Sequence, residues 1–257
     1  MKQFRNTYIF RDDLNETISY LEKSNKNPTV IFGKLLDIKQ RDMISKLKYL
    51  EYQNILKRLL NICTYDTFVY IFSEIDSLQK DILEMSNTGF KLRNILSYKI
   101  EYKYDKFFKL YQKQLKYVLF FTSHSIKEKD RKLSKRSQTN LINNSNPVKV
   151  KDKDYSKEIV KELIETSLMK SIDENIVLDI HSESGNIAEY CLRNNLECYS
   201  NSLNYKGNVV KLSKILEYLN NYKKDEIKDY SDRNKKISEN MRKNSLKRKI
   251  KNIAENK

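Results

Sequence analysis

Asn175–Asn204 reads NIVLDIHSESGNIAEYCLRNNLECYSNSLN, and this stretch decides the fold. Ile176-Val177-Leu178 is a short apolar run that ends in Asp179. A polar turn with one glycine, Gly185, follows it. Ile187–Arg193 then has helical character, and a second strand is expected around Cys198–Leu203. Strand, turn, helix, strand is the order of a nucleotide-binding α/β unit. The turn argues the other way. Backbone that must approach a ligand closely wants glycine, which has no Cβ, and Glu183 stands two residues before Gly185.

Outward from this stretch the same alternation covers most of the chain. Apolar clusters predict strands at Thr7–Phe10, Thr29–Phe32, Thr67–Phe72, Leu92–Tyr98, Tyr117–Phe121 and Ile176–Ile180. Most lack strict alternation, which predicts strands buried on both faces. Between them, apolar spacing of three and four predicts helices over Leu14–Lys23, Lys46–Leu60, Asp76–Met85 and Tyr155–Met169. The expectation is an α/β domain, a mixed but mostly parallel sheet flanked by helices.

Two regions break the pattern. Ser123–Asp154 is polar, basic and nearly devoid of apolar residues, and is expected to be a long loop or a disordered insert with a functional role. The tail from Asn220 to Lys257 is helix-compatible and strongly basic. This divides the chain into an α/β domain over residues 1–219, holding the 123–154 loop, and a tail over 220–257.

Composition bounds the function. The 257 residues are 39% hydrophobic with 18 Tyr and 10 Phe, enough for a real core. Only 4 Gly and 2 Pro argue against a protein built on glycine loops. A net charge of +16 suits a polyanionic partner, nucleic acid first. The coding bias of an A/T-rich genome accounts equally for abundant Lys, Asn, Ile and Tyr. Cys63, Cys191 and Cys198 have no CxxC spacing, and His124 and His181 are the only histidines, so no metal site is expected. Cys63 and Cys191 sit beside apolar residues as core thiols of a reducing compartment. With no apolar run of membrane-span length and no signal-peptide core, the expectation is a soluble intracellular protein that does not engage a membrane.

Taken in serial order, several segments carry a family resemblance. RNTYIFRDDLNETISYLEKSNKNPTVIF looks like a strand–helix lead-in to a catalytic strand, and YLEYQNILKRLLNICTYDTFVYIF like the helix and strand after it. GFKLRNILSYKIE and LKYVLFFTSHS look like paired substrate-side strands, and KEIVKELIETSLMKSIDENIVLDIHSESGN like the helix and strand that introduce a cofactor loop. In this order they resemble the permuted DNA amino-methyltransferases that modify adenine N6 or cytosine N4. The resemblance spans most of Arg5–Leu219 and implies a Rossmann-like, S-adenosylmethionine-dependent methyltransferase fold.

The resemblance also says where the chemistry should sit. The family's Asp-Pro-Pro-Tyr-type tetrad aligns with Gly33-Lys34-Leu35-Leu36. A flipped base needs acceptors for its exocyclic amine and a ring to stack on. Gly33 has no side-chain acceptor, Lys34 only donates, and Leu36 has no π face. A shift of register to Asp37 gains an acid but neither proline nor aromatic. The cofactor loop, roughly Asp-Pro-Phe-x-Gly-Ser-Gly in the family, aligns with Asp179–Gly185. Asp179, Ser184 and Gly185 match it, Glu183 replaces the first glycine and His181 the aromatic. The ribose-binding acid aligns with Ser202. The 123–154 loop stands where the family keeps its target-recognition region. Its Lys127, Lys129, Arg131, Lys132, Lys135, Arg136, Lys149 and Lys151 suit phosphate contact rather than base readout.

These departures imply a degenerate, catalytically inert member that needs no cofactor. It would bind DNA, or pair as a homo- or heterodimer with a methyltransferase-family subunit. Two alternatives stand beside it. One is an active but diverged enzyme that uses S-adenosylmethionine; the other is a basic nucleic-acid-binding assembly module that shares only the fold.

Overall fold

All seven predicted strands form in the computed structural model, which describes residues 1–11, 13–36, 45–101, 115–123, 148–149, 157–167 and 175–221. The strands are β1 (Lys2–Phe4), β2 (Thr7–Arg11), β3 (Val30–Gly33), β4 (Phe68–Ser73), β5 (Lys91–Glu101), β6 (Leu115–Thr122), β7 (Val148–Lys149), β8 (Ile176–Ser182) and β9 (Glu197–Ser202). The helices are α1 (Leu14–Lys23), α2 (Lys46–Asn61), α3 (Leu78–Asn87), α4 (Lys157–Ser167) and α5 (Asn186–Arg193). Residues 205–221 are also helical. By its internal contacts the chain divides into residues 1–212, which hold the sheet, and residues 213–257, of which 213–221 are helical.

Local signals set the helix ends. Asp13 caps α1, its Oδ1 accepting the Glu16 amide at 2.9 Å, and Ser45 caps α2 on the Lys48 amide at 3.4 Å. With few glycines available, asparagine takes the left-handed position at two helix ends. Asn25 (φ 51°) follows α1 and Asn195 (φ 55°) follows α5. The next amides, Lys26 and Leu196, turn back to Leu21 O and Cys191 O at 3.0 and 2.9 Å, which closes each helix in a Schellman motif.

The strands join one sheet in the order β1-β2-β9-β8-β3-β4-β6-β5-β7. The run β2-β9-β8-β3-β4 is parallel, while β6 is antiparallel to both β4 and β5. β3 and β4 are buried along their whole length, as their unbroken apolar runs predict. On one face Ile31, Val69, Ile71, Leu119, Phe121, Leu178 and Ile180 pack against Ile18, Leu21, Leu56, Leu59 and Met85 of α1, α2 and α3. Arg58 ties α2 to α1, reaching Ser19 and Glu22. The alternate side chains face the other way. There Tyr70 shares a 2.7 Å hydrogen bond with Ser167 of α4, and α4 packs on α5.

The sequence reading missed two strands. β1 is only three residues with two exposed side chains, and β7 only two residues. β7 lies inside the segment expected to be loop, and pairs in parallel with Ile100–Glu101. The turn expected directly after Ile180 also starts later. β8 runs on to Ser182 through an irregularity in its pairing with β9 between Asp179 and Ser182.

This topology fixes where a ligand would enter. From β8 the chain crosses through α5 to β9 on one side, and from β3 it crosses through α2 to β4 on the other. β8 and β3 are neighbours, so the connections diverge between them. Open α/β sheets place their ligand crevice outside the carboxyl ends at such a switch point.

Candidate functional site

The carboxyl ends of β3 and β8 bring together the two segments singled out in the sequence. Phe32 and Asp179 are partners in register, so Gly33 follows Phe32 in β3 where Ile180 follows Asp179 in β8. A Cβ at Gly33 would lie 2.3 and 2.5 Å from Cγ1 and Cδ1 of Ile180. No side chain fits there while Ile180 keeps its place, an acid included. Leu35 is 3% exposed and belongs to the core, while Lys34 and Leu36 are half-buried. The stretch 33–36 thus supplies a close strand approach and a core leucine. It presents no side-chain acceptor. Asp37 lies outside the described residues.

The β8 end keeps its polar groups and uses them internally. Asp179 is 1% exposed; its Oδ1 accepts the His181 amide and its Oδ2 the Ser200 hydroxyl, both at 3.3 Å. The N-cap of α5 is Gly185, in the left-handed conformation at φ 68°, and Asp179 ties β8 to β9 within the sheet. The amide of Asn208 fills the space a Cβ on Gly185 would take, at 2.9 Å. Ser202, at the end of β9, is wholly buried, and its Oγ accepts Asn208 Nδ2 at 2.8 Å. Ser184 gives its backbone carbonyl to Lys211 Nζ at 2.9 Å, and His181 and Glu183 are half-buried.

A charged network beside this loop escaped the sequence reading. Glu189, in the first turn of α5, has a side chain only 8% exposed. It meets Lys157 at 2.8 Å, Lys211 at 2.9 Å and Arg193 at 3.1 Å. Desolvation pushes its carboxyl up, but the hydrogen bonds and charges of Lys157 and Lys211 outweigh that and hold it down to about 2. Asn208 and Lys211, three apart on the helix beginning at Tyr205, were the available signal.

Lys127, Lys129, Arg131, Lys132, Lys135, Arg136 and Lys151 lie outside the described residues, as do His124 and most of the tail, while Lys149 is in β7. All three cysteines are buried thiols, and burial pushes Cys63 up to about 12. Among the described residues no three His, Cys, Asp or Glu side chains gather to hold a metal ion, and no helix is long and apolar enough to cross a membrane.

No protein-family model matches the chain, and no curated protein matches it in sequence. Solved structures do match its fold. The M1.HpyAVI–SAM complex has a TM-score of 0.57 at 15% identity, covering 80% of this chain and 98% of that one. TTHA0409 from Thermus thermophilus, complexed with S-adenosyl-L-methionine, scores 0.52 at 12% identity over 81% and 93%. PvuII DNA methyltransferase (cytosine-N4-specific) scores 0.53 at 13% identity over 75% and 85%. The chain has the α/β fold of the S-adenosylmethionine-dependent methyltransferases, a mixed sheet flanked by helices.

Proposed function

We propose that this chain is a methyltransferase-fold protein that has lost methyl transfer and acts by binding DNA, alone or as a dimer with a methyltransferase-family subunit. One observation carries the reading: Ile180 packs on Gly33 where the reacting groups of this fold would meet, and Leu35 turns into the core. Methyl transfer to an exocyclic amine needs an acceptor and a stacking ring at that point, and positions 33–36 offer neither.

S-adenosylmethionine would need polar groups on the β8 and β9 ends turned toward it. Here the Asp179 carboxylate lies within the sheet, the Ser202 hydroxyl is buried against Asn208, and Ser184 O is taken by Lys211. Glu183 adds a like charge where a methionine carboxylate would approach. These residues do not fit the group. Asp179, Ser184, Gly185 and Ser202 are read as remnants that now serve the fold.

DNA as the partner rests on charge and its distribution. Residues 123–154 carry nine Lys or Arg against four Asp or Glu, and they stand where the resembled family places target recognition. Such a segment neutralises phosphates and gives salt-steep, sequence-tolerant binding. The partner subunit follows from the same reading, since an interface outlives an active site.

A second reading, a diverged enzyme that still uses S-adenosylmethionine, draws support from the cofactor complexes of M1.HpyAVI and TTHA0409. Isothermal titration with S-adenosylmethionine and methyl incorporation into DNA decide between them. No heat of binding and no incorporation are expected; micromolar binding together with incorporation by the chain alone would falsify the proposal. DNA binding that weakens steeply with salt is the positive result expected alongside.

A further inference from the structure

Asn208 and Lys211 leave the same face of their helix and meet the loop after β8. Lys211 brings an ammonium with three donors and no acceptor. It donates hydrogen bonds to Ser184 O at 2.9 Å and Asn186 Oδ1 at 3.0 Å, and pairs as an ion with Glu189 Oε2 at 2.9 Å. One cation thereby gathers the loop carbonyl, the first residue of α5 and the carboxylate one turn on. Asn208 closes the other side, its amide against Gly185 and its Nδ2 on Ser202. Lys157 supplies a second cation to Glu189, so the carboxylate stays anchored from α4 as well.

Loops at this position in ligand-binding α/β sheets are ordinarily completed by the ligand, whose anionic groups take up the polar groups at the helix start. Here the chain completes its own loop. We infer that Lys211, with Asn208, is a built-in occupant that holds the Ser182–Gly185 loop in one conformation with nothing bound. This rests on the proposed loss of cofactor use and extends it. The carboxyl edge of the sheet becomes a fixed surface instead of one that orders on ligand binding.

Hydrogen exchange on the full chain, read by mass spectrometry over residues 182–189, tests the assignment. Lys211→Met keeps the length of the side chain and removes its donors. It is expected to speed exchange there by roughly tenfold or more, as local opening becomes easier. Lys206→Met, an exposed lysine on the same helix, should change nothing. Lys211→Arg keeps the charge but cannot aim three donors from one nitrogen at these partners, so intermediate exchange is expected; this variant carries the test if Lys211→Met does not fold. Unchanged exchange in both Lys211 variants overturns the inference and leaves the proposed function standing. Slower exchange when S-adenosylmethionine is added to the wild-type chain overturns the proposed function itself, whatever the variants do.

Discussion

The carboxyl ends of β3 and β8 lie side by side, and they have departed from a working site in opposite ways. At β3 the polar groups are absent: Gly33 and Leu35 stand in a position that would need acceptors, and both are consumed by packing. At β8 polar groups are present and several are engaged within the chain, with Asp179 bonded to Ser200 and the loop held by Asn208 and Lys211. Loss by deletion leaves apolar contact as the only local stabilisation. Loss by internal satisfaction leaves a polar network whose removal is costly, because buried donors and acceptors are then orphaned.

The sharpest way to break the comparison is to restore an acid at β3. Gly33→Asp drives a side chain into Ile180 and buries an unpaired charge. It is expected to destabilise by more than about 4 kcal/mol, or to prevent folding. A companion cycle keeps this specific. Gly33→Ala should cost about 1–3 kcal/mol alone and clearly less in an Ile180→Ala background, giving a coupling above about 1 kcal/mol in urea unfolding. Additive costs would mean that Ile180 does not set the close approach.

On the β8 side, Asp179→Ala should cost on the order of 2–3 kcal/mol, because it strands the Ser200 hydroxyl and the His181 amide inside the sheet. If Asp179 were held for a ligand instead, the substitution would leave the denaturant midpoint of the ligand-free chain nearly unmoved.

Glu189 gives a smaller effect with a pH signature. Its folded pKa is about 2 against an ordinary 4.5, so the carboxylate adds stability above pH 4.5 that fades as pH falls toward 2. Lys157 is exposed and Lys211 half-buried, so solvent screens part of the network and Glu189→Gln should cost on the order of 1–2 kcal/mol at neutral pH. Wild type and Glu189→Gln should converge in denaturant midpoint between those two pH values. A gap that persists below pH 2 would assign the loss to packing and not to charge.

The smallest effect belongs to the β9 end. Ser202→Ala removes one buried acceptor from Asn208 and should cost about 1 kcal/mol. S-adenosylmethionine should leave the melting temperature of the wild-type chain where it is, whereas a ligand at a hundred times its dissociation constant would add about 2.7 kcal/mol.

The comparison also explains what could be read in advance. α1 could be bounded at Leu14–Lys23 because its apolar spacing, Leu14, Ile18 and Leu21, is clean. β3 and β4 were legible as doubly buried strands because nothing polar interrupts them. β1 escaped because Lys2-Gln3-Phe4 has no pattern of its own; it forms by pairing with β2. The deficit at β3 was visible because the sequence shows which groups are missing there. At β8 the matching Asp179, Ser184 and Gly185 kept a cofactor reading open, and the partners that occupy them come from residues 200, 208 and 211.

By itself, then, the sequence determined the succession of strands and helices and the absence of reactive side chains at residues 33–36. Both follow from local character: apolar spacing and the chemistry of each side chain. Tertiary structure alone decided that Ile180 closes over Gly33 and that Asn208 and Lys211 hold the loop after β8 from within. Those outcomes depend on register between β8, β3 and β9 and on the face a later helix presents, which are distances between parts of the chain far apart in sequence.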